Sequence, residues 1–171
     1  MFVCNSCPRK CNIDRDSVTG VCGAPAKYKV ARAALHFWEE PCISGEKGSG
    51  TVFFSGCSLK CAFCQNFEIS RNAFGKEISE EKLIEIFKDL ENQGAHNINL
   101  VTPGHYLFSL APILERVKPR LGVPVICNCS GYESVDALRA LDGLVDIYLP
   151  DFKYYSEELS ARYSHAPEYF G

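Results

Sequence analysis

Four short apolar runs, each followed at once by a polar or glycine-bearing stretch, constrain the fold of this chain more than any other feature. "TVFF" (51–54) leads into "SGCSLKCAFCQN", "NINLV" (97–101) into "TPGHY", "VPVIC" (123–127) into "NCSGYE", and "LVDIYL" (144–149) into "PDFKY". Runs of this length rich in β-branched and apolar residues read as strands. Between the first two lies "SEEKLIEIFKDLENQG", with Leu83, Ile84, Ile86, Phe87 and Leu90 on one broad face, Ser79 as N-cap and Gly94 as stop. Further helices are expected over about 109–118, from Ser134 to Leu141, and after Ser156. Strands that are apolar almost throughout, alternating with helices, predict an α/β chain with a parallel sheet and right-handed crossovers. In such sheets function gathers at the carboxyl ends of the strands, so the four polar stretches should face one rim.

Residues 1–45 read differently. They show no sustained period of 3.6 or 2 and carry turn signals such as "CPRKC", "VTGVCGAP" and "EEPCISG". The expected organisation is a small irregular Cys-rich metal-binding segment, 1–45, ahead of a core over 46–171.

Ten cysteines in 171 residues are more than packing requires. No apolar leader or membrane-length run is evident, so a soluble, cytoplasmic chain with reduced thiols is expected, and tight local clusters do not suit a secreted disulfide scaffold. A formal net charge of −3 with scattered Lys and Arg gives no footprint for nucleic acid or a membrane surface.

Seven cysteines fall in two sets. Cys57, Cys61 and Cys64 form CxxxCxxC, and no Cys or His within twenty residues offers a fourth zinc ligand with the usual paired spacing. A [4Fe–4S] cubane on three thiolates keeps one iron open for a substrate or cofactor. Cys4, Cys7, Cys11 and Cys22 supply four thiolates, enough for a closed zinc site or a second iron-sulfur cluster, and spacing does not choose between them. Cys42, Cys127 and Cys129 read as packing residues. His36, Trp38, Glu39 and Glu40 read as bracing the N-terminal segment against the sheet.

The stretch from "TVFFSG" through Cys57, Cys61, Phe63 and Cys64 to "QN" resembles the cluster motif of the radical S-adenosylmethionine superfamily. Within it, the chain most resembles uncharacterised relatives of the pyruvate formate-lyase activating enzyme that carry an N-terminal cysteine cluster. The resemblance implies a partial parallel (β/α) barrel in which about four of six strands are present, so that the chain is expected to be an incomplete enzyme. It implies that Cys57, Cys61 and Cys64 bind three irons of a [4Fe–4S] cluster and that S-adenosylmethionine chelates the fourth. Phe63 would lie against the adenine. Thr102, Pro103 and Gly104, at the place of a Gly-Gly-Glu type motif, would meet the cofactor through their backbone, with His105 standing where an acid is usual. Asn128 and Ser130 would hydrogen-bond the cofactor, and Asp151 and Lys153 would resemble an Asp-x-Lys that holds it. The residue-level alternatives are strand-to-helix turns for "TPGHY" and "NCSGYE", and a surface ion pair for Asp151 and Lys153. The implied activity is hydrogen abstraction by a 5′-deoxyadenosyl radical, as in glycyl-radical-enzyme activases, with a flavodoxin- or ferredoxin-type electron donor and a protein substrate as partners. The competing reading is a noncatalytic iron-sulfur or zinc protein in electron transfer or structure.

Overall fold

The structure, a computed structural model, describes residues 4–169. In chain order the elements are β1 (Tyr28–His36), α1 (Pro41–Ser44), β2 (Ser49–Phe54), α2 (Phe67–Ser70), β3 (Lys76–Ile78), α3 (Glu80–Asn92), β4 (Ile98–Val101), α4 (Leu107–Val117), β5 (Val125–Cys129), α5 (Val135–Arg139), β6 (Ile147–Pro150) and α6 (Glu157–Ser164). The strands form one open sheet in the order β3-β1-β2-β4-β5-β6. β2, β4, β5 and β6 are parallel, while β1 runs antiparallel to both β2 and β3.

The four parallel strands are those expected from the apolar runs. The sheet nevertheless has six, which corrects the expected count of four. β1 lies inside residues 1–45, so that stretch is not irregular throughout. Its alternation is hidden because the register against β2 shifts between Val30 and Arg32. Such a bulge sets two residues against one and switches which face later side chains take. β3 is only three residues long.

Helix starts follow the expected caps. Ser79 Oγ accepts from the Lys82 N–H (3.2 Å), Ser134 Oγ from Ala137 (3.3 Å) and Ser156 Oγ from Leu159 (3.4 Å). Leu83, Phe87 and Leu90 of α3, with Leu110, Ile113 and Leu114 of α4, pack against Val52, Phe54, Ile98, Leu100, Val125 and Cys127 of the sheet. Each such side chain contributes about 1.5–3 kcal/mol on burial, so this face holds the fold together. Because strand side chains alternate, Phe53, Asn99, Val101, Ile126 and Asn128 take the opposite face, which is partly polar.

Residues 4–25 are tied to this core by arginines. Arg9 donates to the carbonyls of Ser58 (2.9 Å), Ser164 (2.6 Å) and His165. Buried Arg15 donates to Ala24, Pro25 and His105, and its guanidinium lies 4.8 Å from the Tyr106 ring centre. No described helix is long and apolar enough to cross a membrane.

Candidate functional site

A cavity of about 590 Å³ opens at the carboxyl ends of the parallel strands, a volume within the ~300–1,000 Å³ usual for small-molecule sites. Its wall takes in Cys57, Cys61, Cys64 and Phe63 from the loop after β2, Thr102 after β4, Asn128 and Ser130 at the end of β5, and Asp151 and Lys153 after β6. Parallel pairing aligns these strands, so Cys57 and Lys153, 96 positions apart in sequence, reach one rim.

The cysteine loop is held tightly. Gly56 has φ +85, and a Cβ there would stand 2.6 Å from the Cys22 carbonyl oxygen. Next to it the Cys57 N–H donates to that same oxygen (3.1 Å), Ala62 N–H donates to Tyr163 (2.8 Å), and Cys64 N–H closes a turn onto Cys61 (3.1 Å). Beneath the loop, Leu59 and Cys61 pack with Tyr132, Tyr154, Ala166 and Tyr169 in a small core of their own. Burial raises the Cys57 thiol pKa, while the N–H groups of Lys60 and Leu59, aimed at its sulfur, favour the thiolate.

The other walls are also pinned. The Tyr169 hydroxyl donates to the carbonyls of Ser130 (2.8 Å) and Asp151 (3.0 Å) and accepts from the Lys153 N–H (2.8 Å), so one phenol ties the ends of β5 and β6 together. Lys153 pairs with the Asp151 carboxylate. Burial disfavours the ammonium, but the carboxylate outweighs it and the Lys153 pKa is raised. Thr102 holds φ +56, a left-handed conformation unusual for a β-branched residue, and its N–H donates to the Asn128 carbonyl (2.9 Å). Backbone strain of this kind concentrates at functional sites.

Some expected residues lie elsewhere. Pro103 and Gly104 are buried and do not line the cavity, and Gly104 abuts the Glu133 carboxyl, where a Cβ would be 2.7 Å from Oε1. His105 is 2% exposed and donates through Nε2 to the Ser55 carbonyl (3.0 Å). Desolvation, then the Arg15 charge, lowers its pKa to about 3, which makes it a neutral structural residue beneath the loop. Ser130 Oγ is bonded to Glu133 Oε1 (3.1 Å). Cys129, read as packing, does reach the cavity wall, with its thiol engaged by Cys127 and Glu133.

His36 and Glu39 also line the cavity, although the sequence suggested only bracing roles for them. Glu39 Oε2 accepts from Asn99 Nδ2 (3.2 Å) and Asn128 Nδ2 (3.1 Å). The available signal was two acids closing a connection between paired strands, but β1 was not legible and its connection to β2 was therefore not either. Tyr169 carried no local signal at all.

In the N-terminal segment, Cys4, Cys7 and Cys22 are buried and Cys11 is partly so. Burial pushes the Cys7 thiol up to about 11, with Cys22, Cys11 and Cys4 adding to the effect as neighbouring charges. Among the described residues, no group of three or more His, Cys, Asp or Glu side chains is poised to hold a metal ion. A single ion would require its thiolates within about 2.3 Å of one point. Thiolates on a cubane each meet a different iron, and the donor set after β2, three sulfurs beside an open cavity with backbone N–H groups at one of them, fits that group.

Residues 51–169 match the family model described as the Radical SAM superfamily. An uncharacterized protein of Methanocaldococcus jannaschii is 32% identical over 176 residues, covering 98% of this chain and 50% of that protein. The chain thus spans about half the length of this curated relative. No solved structure matches the chain.

Proposed function

Because the chain belongs to the radical SAM superfamily, which implies use of a [4Fe–4S] cluster and S-adenosylmethionine, we propose that Cys57, Cys61 and Cys64 hold the cluster and that the adjoining cavity takes the cofactor. When bound, the cluster and S-adenosylmethionine would supply reductive cleavage of the sulfonium, with the electron coming from the cluster, and hydrogen abstraction from a substrate. The observation that carries this reading is the single cavity shared by the three thiols and four strand ends.

The chain's own residues divide the work. Leu59 and Lys60 N–H groups, aimed at the Cys57 sulfur, favour its thiolate against the burial that raises the thiol pKa. Phe63, set edge-on to Tyr154 and Tyr163 at 6.0 and 6.4 Å, offers an apolar ring face to the adenine. Lys153, oriented by Asp151, meets the methionine carboxylate with a charge-assisted hydrogen bond. Thr102, Asn128 and Ser130 shape the wall between them, whereas buried Pro103 and Gly104 support it from behind. Phe53, Leu59 and Ile69 exclude water from the reacting end.

The finer reading is an activating-enzyme-like oxidoreductase of the cytoplasm, reduced by a flavodoxin- or ferredoxin-type donor and acting on a protein substrate. Cys4, Cys7, Cys11 and Cys22 form a second metal centre, zinc or iron-sulfur, in an N-terminal segment distinct in role from the core. A noncatalytic iron-sulfur carrier would have no use for a cofactor-sized cavity beside its cluster. Anaerobic reconstitution tests the proposal: S-adenosylmethionine should perturb the cluster's electron paramagnetic resonance spectrum, and the triple Cys57/Cys61/Cys64→Ala variant should lose that signal. A variant that keeps it refutes the assignment.

A further inference from the structure

The cysteine loop is met from below by a cation that lies outside the stretch 51–169 shared with the family. Arg9 spreads its guanidinium over three carbonyls: Nε donates to Ser58 (2.9 Å), and the two terminal nitrogens donate to Ser164 (2.6 Å) and His165. Ser164 closes α6, and the last carbonyls of a helix have no partner inside it. The loop itself takes one of these, since Ala62 N–H donates to Tyr163, and Arg9 takes the two that follow. The guanidinium also lies 5.3 Å from the Tyr132 ring centre, at the small core of Leu59, Cys61, Tyr154 and Tyr169 beneath the loop. Among the described residues no Asp or Glu forms an ion pair with Arg9.

The Ser58 carbonyl is one end of a peptide group whose other end, the Leu59 N–H, is aimed at the Cys57 sulfur. A peptide is planar, and in its trans form the C=O and N–H point opposite ways, so a donor that fixes the carbonyl also fixes the direction of the N–H. The guanidinium polarises that carbonyl, which makes the N–H at the far end a stronger donor. Hydrogen bonds to the ligand sulfurs and the charge nearby set the potential of an iron-sulfur cluster. An electron added to a cluster increases the negative charge on its sulfurs, so the N–H and the guanidinium both favour the reduced form.

We propose that Arg9 is a positioning residue that acts on the cluster through the Ser58–Leu59 peptide, holding the Leu59 N–H on the Cys57 sulfur and raising the potential at which the cluster accepts an electron. This rests on the reading of Cys57 as a cluster ligand. It also gives the N-terminal segment a part in the chemistry of the core, because Arg9 stands between Cys7 and Cys11 and its own N–H is aimed at the Cys7 sulfur.

Anaerobic redox titration of the reconstituted protein, read by electron paramagnetic resonance of the reduced cluster, tests this. At one poised potential Arg9→Gln is expected to lower the ratio of reduced to oxidised cluster by about threefold or more, the scale of a single hydrogen bond. S-adenosylmethionine should still perturb the spectrum, because Arg9 does not line the cavity. Arg9→Lys, which keeps the charge but not the planar fork, should recover part of the shift. The ratio is taken per cluster, so a lower iron content does not disguise it, and an unchanged ratio in Arg9→Gln overturns the proposal and leaves Arg9 as a brace. Electron–nuclear double resonance of the unaltered protein gives a second reading that needs no variant. With isotopically labelled leucine, the reduced cluster should show a nitrogen coupling from the Leu59 amide, and the coupled proton should persist after transfer to heavy water. No such coupling, or immediate loss of the proton, overturns the proposal whether or not the variants take up iron. Failure of the ligand reading is separately visible, as a cluster that survives in the triple Cys57/Cys61/Cys64→Ala variant.

Discussion

The backbone N–H of Cys57 donates to the carbonyl oxygen of Cys22 over 3.1 Å, joining the last cysteine of the N-terminal set to the first of the cluster loop. Gly56 makes this approach feasible, because any side chain there would meet the Cys22 oxygen at 2.6 Å in a left-handed backbone. Gly56→Ala is therefore expected to lower stability by about 2 kcal/mol or more, which is several degrees in the melting temperature. Iron content after reconstitution should fall with it. Thermal unfolding and iron analysis check both, and an unchanged melting temperature would show that the contact carries no weight.

Replacing Cys4, Cys7, Cys11 and Cys22 together with serine should remove the proposed second metal centre and leave the cofactor-sensitive cluster signal in place, since the two sets of thiols are separate. Metal analysis per chain is the measurement. Unchanged iron plus zinc would mean that the N-terminal thiols bind nothing.

Asp151→Ala and Lys153→Ala should each weaken S-adenosylmethionine binding by about ten- to a hundredfold, the worth of a charge-assisted hydrogen bond of roughly 1.5–3 kcal/mol. Iron content should not change, because neither residue is among the thiolates. Wild-type affinity in both would return the pair to an ordinary surface contact.

Tyr169→Phe removes one hydroxyl that satisfies two carbonyls and one N–H at the ends of β5 and β6. A stability loss of about 1–3 kcal/mol is expected. Cofactor affinity should fall as well, although Tyr169 does not line the cavity. Calorimetric titration separates the two effects; intact affinity in a destabilised protein would confine Tyr169 to a scaffold role.

His105 gives a pH signature. Its pKa falls from 6.5 to about 3 on folding, so between those values the unfolded chain binds a proton that the folded chain does not. Stability should therefore rise with pH in that window, by at most about 1.4 kcal/mol per unit from this group, and level off above 6.5. His105→Gln, which keeps a donor for the Ser55 carbonyl, should flatten the slope between pH 6.5 and 5.5 in urea denaturation. An equal slope in both proteins would place the proton elsewhere.

The parts of the fold legible in the sequence are those set by local pattern. The apolar runs became β2, β4, β5 and β6, and Ser79, Ser134 and Ser156 cap helices because a hydroxyl ahead of an apolar period has few other uses. What stayed hidden depends on tertiary context. β1 carries Lys29 and Arg32 and breaks register at a bulge, so its alternation does not survive in the sequence. In the site, Cys57, Cys61, Cys64, Asp151 and Lys153 announce themselves by spacing. Glu39 is placed at the cavity wall by Asn99 and Asn128, sixty and eighty-nine positions away, and a sequence offers no sign of such a meeting. His105 shows the converse, a conspicuous residue at a strand end whose ring is turned into the core.

The antiparallel corner of the sheet also bears on how the molecule assembles. β1 meets β2 across the short connection 37–48, whereas β2 meets β4 only after the stretch 55–97 has been drawn in. Pairings of small sequence separation require less chain to be organised first, so the β1–β2 ribbon is expected to consolidate early and the β2–β4 pairing, which docks the half bearing β5 and β6 onto it, late. Pulsed hydrogen exchange would read this as protection of β1–β2 amides ahead of the β4 amides that bond β2. The cysteine loop sits at the seam between the early and late halves. Its thiols would then be gathered while the wall bearing Asp151 and Lys153 is still unformed, leaving a route for iron and sulfide to enter before the pocket closes over them.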